Sequence, residues 1–187
     1  AAENPGRMIR IRKPLSGARS AWEEMHHRQE TLDKARILGA THIAIVDADE
    51  LITANLLPTI RQTIERECRY PSMGVALPMV ATWNDCTGST RRIDGNWGEG
   101  SQITLAFMDA PWLTWTPAED GYQHHQRQPH GVRAIKRLYH DMLAGGVFHF
   151  QFISRHRLEV KADWYKMLEL VHYPEKRTPA QLNAMYD

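Results

Sequence analysis

The sequence predicts an α/β fold, and three observations carry that prediction. An apolar series at helical spacing runs from Trp22 to Leu38 and stops at Gly39. Directly after it, residues 41–46 (Thr-His-Ile-Ala-Ile-Val) form a short, β-branched and nearly unbroken apolar run. Strand-like and helix-like segments then continue to alternate, which places helices against a sheet.

Taken in order, residues 8–13 alternate apolar and basic side chains through Met8, Ile9 and Ile11, as a short strand does, and Pro14 ends the pattern. Ser20-Ala21-Trp22-Glu23 has the form of a capping box. Trp22, Met25, Leu32, Ala35 and Leu38 follow on one helical face until Gly39, which supplies a C-terminal stop. The run 41–46 has the pattern of a central strand covered on both faces. A helix with Pro58 in its first turn should carry Ile60 and Ile64 inward, and residues 75–81 read as the next strand.

Residues 87–101 are rich in Gly, Ser, Asp and Arg around Gly95-Asn96-Trp97-Gly98, the composition of a mobile loop, and loops of that length are often functional. Residues 103–108 and 147–153 read as strands, 157–170 as a helix, and 111–131 as an irregular stretch holding three of the ten histidines. There is no internal repeat and no low-complexity tract. The chain of 187 residues, 42% apolar, is long enough for one domain with a real core and too short for a second full one.

Charge gives little away: 22 acidic residues stand against 23 Lys and Arg, so neither a nucleic-acid footprint nor a polybasic membrane patch is indicated. Cys68 and Cys86 form no disulfide framework or zinc-finger spacing and read as ordinary thiols. No apolar run reaches the roughly 18 residues of a spanning helix, and no basic-then-apolar leader opens the sequence. A soluble, cytoplasmic protein is the expectation.

The chemistry concentrates in one place. Asp47-Ala48-Asp49-Glu50 puts three carboxylates within four residues, at the carboxyl end of a strand expected in the sheet. In open α/β sheets that edge is where ligands bind. Clustered carboxylates repel one another, and an oxygen-preferring cation, Mg²⁺ or Mn²⁺, relieves the repulsion while bridging to phosphate oxygens. An acidic turn that only solvates a strand end is the competing interpretation. Against it, an apolar strand runs straight into the turn and Leu51-Ile52 follow at once.

The segment 35–52, A-x-x-x-G-A-T-H-I-A-I-V-D-A-D-E-L-I, resembles the region around the D-x-D motif of family 2 glycosyltransferases. Gly145-Gly146-Val147-Phe148-His149-Phe150-Gln151-Phe152, leading to Lys161-Ala162-Asp163-Trp164-Tyr165-Lys166-Met167, resembles the carboxyl-terminal part of a bacterial and phage branch of that group. The resemblance implies a GT-A-like, Rossmann-like mixed sheet flanked by helices. It implies a sugar transferred from a nucleotide diphosphate sugar to a saccharide or other hydroxyl acceptor, with inversion. It assigns the metal to Asp49 and His149, and gives Asp47 to the ribose or, through water, to the metal. It assigns the nucleotide sugar to Asp47, Asp49 and Glu50, with Arg155 and Lys161, and Arg157 beside them, stabilising the departing pyrophosphate. Equally, those cations suit a solvated helix face.

An inverting transfer also needs a carboxylate to take the acceptor proton. Asp120, with Glu119 beside it, is the closest match, although a turn flanked by Pro117 and Gly121 would expose the same acids without using them. His124, His125 and His130 have no trusted zinc spacing and suggest a polar loop lining an acceptor cleft. Trp83, Trp97, Trp112 and Trp115 could stack on a sugar ring, against the commoner core duty of Trp. The motif arrives at Asp47, before the family's usual strand, helix and strand can precede it, so the expectation is a fragment, truncated at its amino end, or else a nucleotide pocket built differently. Two rivals stand: a metal-dependent phosphotransferase or phosphohydrolase, and a binding module that kept the fold without turnover.

Overall fold

A computed structural model describes residues 24–83, 101–116, 127–139, 142–152, 154–172 and 174–186. The strand expected near Met8, the capping box at Ser20, the loop around Trp97, Cys86, Glu119, Asp120, His124 and His125 lie outside these residues.

Helix α1 spans Glu24–Ile37 and buries Met25 and Leu32. Gly39 ends it as expected: its φ is +77°, its N–H donates to the Arg36 carbonyl at 2.9 Å, and that of Ala40 to Ala35 at 3.0 Å. This is the Schellman closure that a left-handed glycine makes available. Helix α2, Ile60–Glu67, begins two residues after Pro58 and buries Ile64 with Ile60 half-buried.

The strands are β1 (His42–Ala44), β2 (Glu50–Ile52), β3 (Met73–Trp83), β4 (Gln102–Met108), β5 (Ala134–Arg137) and β6 (Val147–Phe152). They form one mixed sheet in the order β1-β4-β3-β6-β2, with β5 also on β3. β3 pairs antiparallel with β4 and parallel with β5 and β6. The protein is therefore mixed α/β, as expected. The expectation of a central strand over 41–46 is corrected. Only His42–Ala44 is regular, it pairs with β4 alone among the described residues, and β3 holds the middle. The reason is visible in the burial: Ile45 is buried while Ala44 and Val46 are exposed, so apolar residues on the open face hid the alternation of a half-covered strand.

β1 and β2 stand at opposite ends of that order, yet only residues 45–49 connect them. Laid flat, four inter-strand steps would separate them by about 19 Å. The connection contains a turn, Glu50 N–H to Asp47 C=O at 3.0 Å, so the sheet must curl to bring its edges together. Register shifts at Val75/Ala76 and Ala81/Trp83 mark where β3 bends.

Two apolar clusters hold the sheet. Ile64 and Leu56 pack with Val75, Leu77, Leu105 and Val147 in one. Met25 and Leu32 pack with Ile45, Phe107, Leu113 and Trp115 in the other, where the Phe107 and Trp115 rings meet edge to face at 6.0 Å. Helix α3 (Arg155–His172) follows β6, and α4 (Pro179–Tyr186) packs on it, burying Leu182. No helix among the described residues is long and apolar enough to cross a membrane.

Candidate functional site

The acidic turn sits where the curled edges meet. Glu50 is the register partner of His149 across β2 and β6, and the Phe150 N–H donates to the Asp49 carbonyl at 2.8 Å. That pairing places the Asp49 carboxylate 3.5 Å from His149 Nε2. His149 is buried, whereas Asp49 stays partly open. The imidazole beside it holds the Asp49 carboxyl below its ordinary value, burial opposes this, and the charge on Lys161 adds to the lowering.

Asp49 opens onto a cleft of about 570 Å³ lined also by His156, Arg157, Val160, Lys161 and Trp164. Those five lie on successive turns of α3, so one helix face supplies both a cationic end and an apolar end. Lys161 Nζ stands 5.6 Å from the centre of the Tyr165 ring. Burial raises the Tyr165 phenol, and the charges of Glu24 and Asp49 raise it further. Of the cations expected here, Lys161 and Arg157 reach the cleft. Arg155 does not: it is exposed and pairs with Glu159 one turn along its own helix at 2.8 Å.

Asp47 and Glu50 have different surroundings. Asp47 Oδ1 accepts from Arg28 Nη2 at 2.9 Å, and Oδ2 from Arg127 Nη1 at 2.9 Å. Glu50, buried, takes Arg127 in a fork at 2.6 and 2.7 Å and accepts the Asp47 N–H at 2.9 Å. Two guanidinium groups thus relieve repulsion in the turn that a metal ion was expected to relieve. Asp47 borders a second cleft, of about 330 Å³, between α1 and β1, with Arg28, Leu32, Ile45 and Trp115 among its walls. The turn therefore parts two clefts, Asp47 on one and Asp49 on the other.

Neither Arg28 nor Arg127 belongs to any motif. The signal available was indirect: a buried carboxylate demands a cation, and Glu50 lies between two apolar runs. His156 and Trp164 were also missed, because only the fold of α3 over the turn distinguishes them from surface residues. Trp115 is core, as its 5% exposure and Phe107 contact show, and Trp112 is exposed. His130 is a backbone anchor, its N–H donating to Thr114 C=O at 2.8 Å. Among the described residues no group of three or more His, Cys, Asp or Glu is placed to hold a metal ion, and Asp49 with His149 supplies two donors. No protein-family profile matches the chain, and neither does any curated protein or solved structure compared with it.

Proposed function

We propose that this chain is a metal-dependent glycosyltransferase of GT-A type that moves a sugar from a nucleotide diphosphate sugar to a saccharide or other hydroxyl acceptor, with inversion. The observation that carries the reading is the meeting of Asp49 and His149 beside a cleft that Asp49 lines together with Lys161 and Arg157. A carboxylate and an imidazole suit Mn²⁺ and, less closely, Mg²⁺, and a separation of 3.5 Å is near the roughly 3 Å of two ligands on one small divalent ion. Such ions commonly take one or two protein ligands and complete their shell with water and substrate phosphate. The donor set fits.

When bound, the ion would act as a Lewis acid toward the departing diphosphate. Lys161 and Arg157, which line the same cleft, would meet the charge that develops on the same group. Asp47, already oriented by Arg28 and Arg127, faces the smaller cleft, whose Leu32, Ile45 and Trp115 walls suit a nucleoside. Asp120, with Glu119, is proposed to take the acceptor proton, on sequence grounds alone.

A binding module on the same fold is the second reading. It is favoured by the ion pairs of Asp47 and Glu50, which satisfy those two acids without any ligand. Calorimetric titration with UDP-glucose and GDP-mannose in Mn²⁺ tests both. Binding removed by Asp49→Ala together with sugar transfer in an acceptor screen supports the enzyme, and binding without transfer supports the module. Hydrolysis of p-nitrophenyl phosphate with no sugar transfer would replace both by a phosphohydrolase.

A further inference from the structure

Arg127 enters the site from the end of the stretch 111–131 expected to be irregular, and its backbone is fixed there. Pro129 is fully buried, and residues 114 and 130 bridge as an isolated antiparallel pair. Every N–H of its guanidinium is engaged. Nε donates to the Thr104 carbonyl at 2.5 Å, Nη2 to the Ile45 carbonyl at 2.7 Å, and the remaining donors go to Asp47 and Glu50. Thr104 belongs to β4 and Ile45 directly follows β1, at one side of the curl, whereas Glu50 opens β2 at the other.

We infer that Arg127 is a positioning residue: by closing the curl of the sheet it fixes the Asp47–Glu50 turn and thereby aims Asp49 at His149. The two edges share no ladder among the described residues, so backbone pairing alone does not set the distance between them. A planar fork with fixed donor directions does set it, and a lysine ammonium cannot reproduce that set of contacts. Asp49 itself makes no contact with Arg127. It is held through its neighbours, by Glu50 on one side and by Asp47, two residues earlier, on the other.

Arg36 provides the internal control. It too is clamped, with two bonds of 2.8 Å to Asp109 and further bonds to the carbonyls of Ala110 and Leu113, but none of these belongs to the turn. A general cost of losing a well-bonded arginine would appear in both variants, whereas an effect on Asp49 would appear in one.

The metal readout below rests on the proposed role of Asp49 and His149 as ion ligands, and the crystallographic readout does not. Arg127→Lys and Arg36→Lys are compared by crystal structure and by Mn²⁺ binding followed through the electron paramagnetic resonance of the free ion. Arg127→Lys is expected to withdraw the Asp49 carboxylate from His149 and to weaken Mn²⁺ binding by about tenfold or more, the scale seen when groups supporting metal ligands are lost. Arg36→Lys is expected to change neither. If Arg127→Lys does not fold, Arg127→Met/Glu50→Gln removes the buried charge together with its partner and answers the same question. An unchanged Asp49 to His149 separation in a folded Arg127 variant would overturn the inference, as would an equal loss of Mn²⁺ affinity in the Arg36 control. A wild-type protein that binds no Mn²⁺ would overturn the metal role instead, and the positioning role would then stand or fall on the crystallographic separation.

Discussion

Asp49 and His149 stand 3.5 Å apart where the Asp47–Glu50 turn runs into the β2 and β6 ladder, in which Glu50 and His149 are register partners. Strand alternation alone would turn the Asp49 side chain to the face away from Glu50 and His149. Asp49 lies just before β2, however, in the turn closed by the Glu50 N–H to Asp47 carbonyl bond, and the turn brings its carboxylate round to the ring. The pairing joins residues a hundred positions apart in the chain, and it makes the pair a property of the sheet as much as of the motif.

The first prediction separates the cleft residues from their neighbours. Asp49→Ala and His149→Ala should each weaken Mn²⁺-dependent binding of UDP by more than about tenfold, the loss expected when one of two protein donors goes. Lys161→Ala should weaken UDP binding while leaving the affinity for Mn²⁺ alone unchanged. Arg155→Ala should change neither, because Arg155 pairs with Glu159 outside the cleft. Calorimetric titrations with Mn²⁺ and with UDP read all four, and a loss in Arg155→Ala equal to that in Lys161→Ala would remove the distinction.

The second prediction concerns the carboxylates that face away from that cleft. Glu50→Ala leaves Arg127 buried with its main partner gone, and removing one member of such a pair costs about 3 kcal/mol or more. Asp47→Ala should cost less, because Asp47 is about one-third exposed and Glu50 still neutralises Arg127. Urea unfolding measures both. Asp49→Ala, by contrast, should be nearly neutral for stability, so the three acids of one turn should divide into a structural pair and a ligand.

Much of this was legible in the sequence, and what was not has identifiable causes. The α1 stop at Gly39, the strands β3, β4 and β6, and helix α3 follow from periodicity and glycine placement, which are local signals. The convergence of Asp49 and His149 was expected from two motifs together. β5 was missed because Ala-Ile-Lys-Arg alternates nothing and is exposed throughout. β2 was missed because three residues joined to an acidic turn do not look like a strand until β6 is there to pair with. Helix α4 was legible and passed over: Thr178-Pro179-Ala180-Gln181 is a capping box with proline at the first helical position, and the Thr178 N–H does donate to Gln181 Oε1 at 2.9 Å. Arg127 was beyond reach, since its partners come from three separate strands or their ends.

Gly146 gives a third prediction. A Cβ built there would lie 2.2 Å from the Pro78 carbonyl oxygen, a backbone atom that cannot swing aside. Gly146 also exchanges hydrogen bonds with Thr53, its carbonyl accepting the Thr53 N–H at 3.0 Å and its N–H donating to Thr53 Oγ1 at 3.1 Å. Gly146→Ala must therefore part the start of β6 from β3, at a cost of about 3 kcal/mol or more. The displaced strand carries His149, so a folded Gly146→Ala protein should also show weakened Mn²⁺ binding. Thermal unfolding and Mn²⁺ titration on the same sample test the two effects, and a variant as stable as wild type would refute the close approach.

Cys68 yields the last prediction, on pH. It is fully buried at the end of α2, where its own N–H donates to the Ile64 carbonyl at 2.8 Å, and burial pushes its thiol up to about 11 from an ordinary value of 9.0. A thiol whose value is raised on folding favours the folded state while both states stay protonated, which holds below about pH 9. As pH rises toward 11 the unfolded chain loses its proton first, so this contribution fades across that window. Relative to Cys68→Ala, the wild type should therefore lose stability between pH 9 and pH 11. Urea midpoints at pH 8 and pH 10.5 give the comparison. In the same range the native thiol should resist iodoacetamide and react only on unfolding. Rapid alkylation of Cys68 in the native protein at pH 8 would contradict its burial.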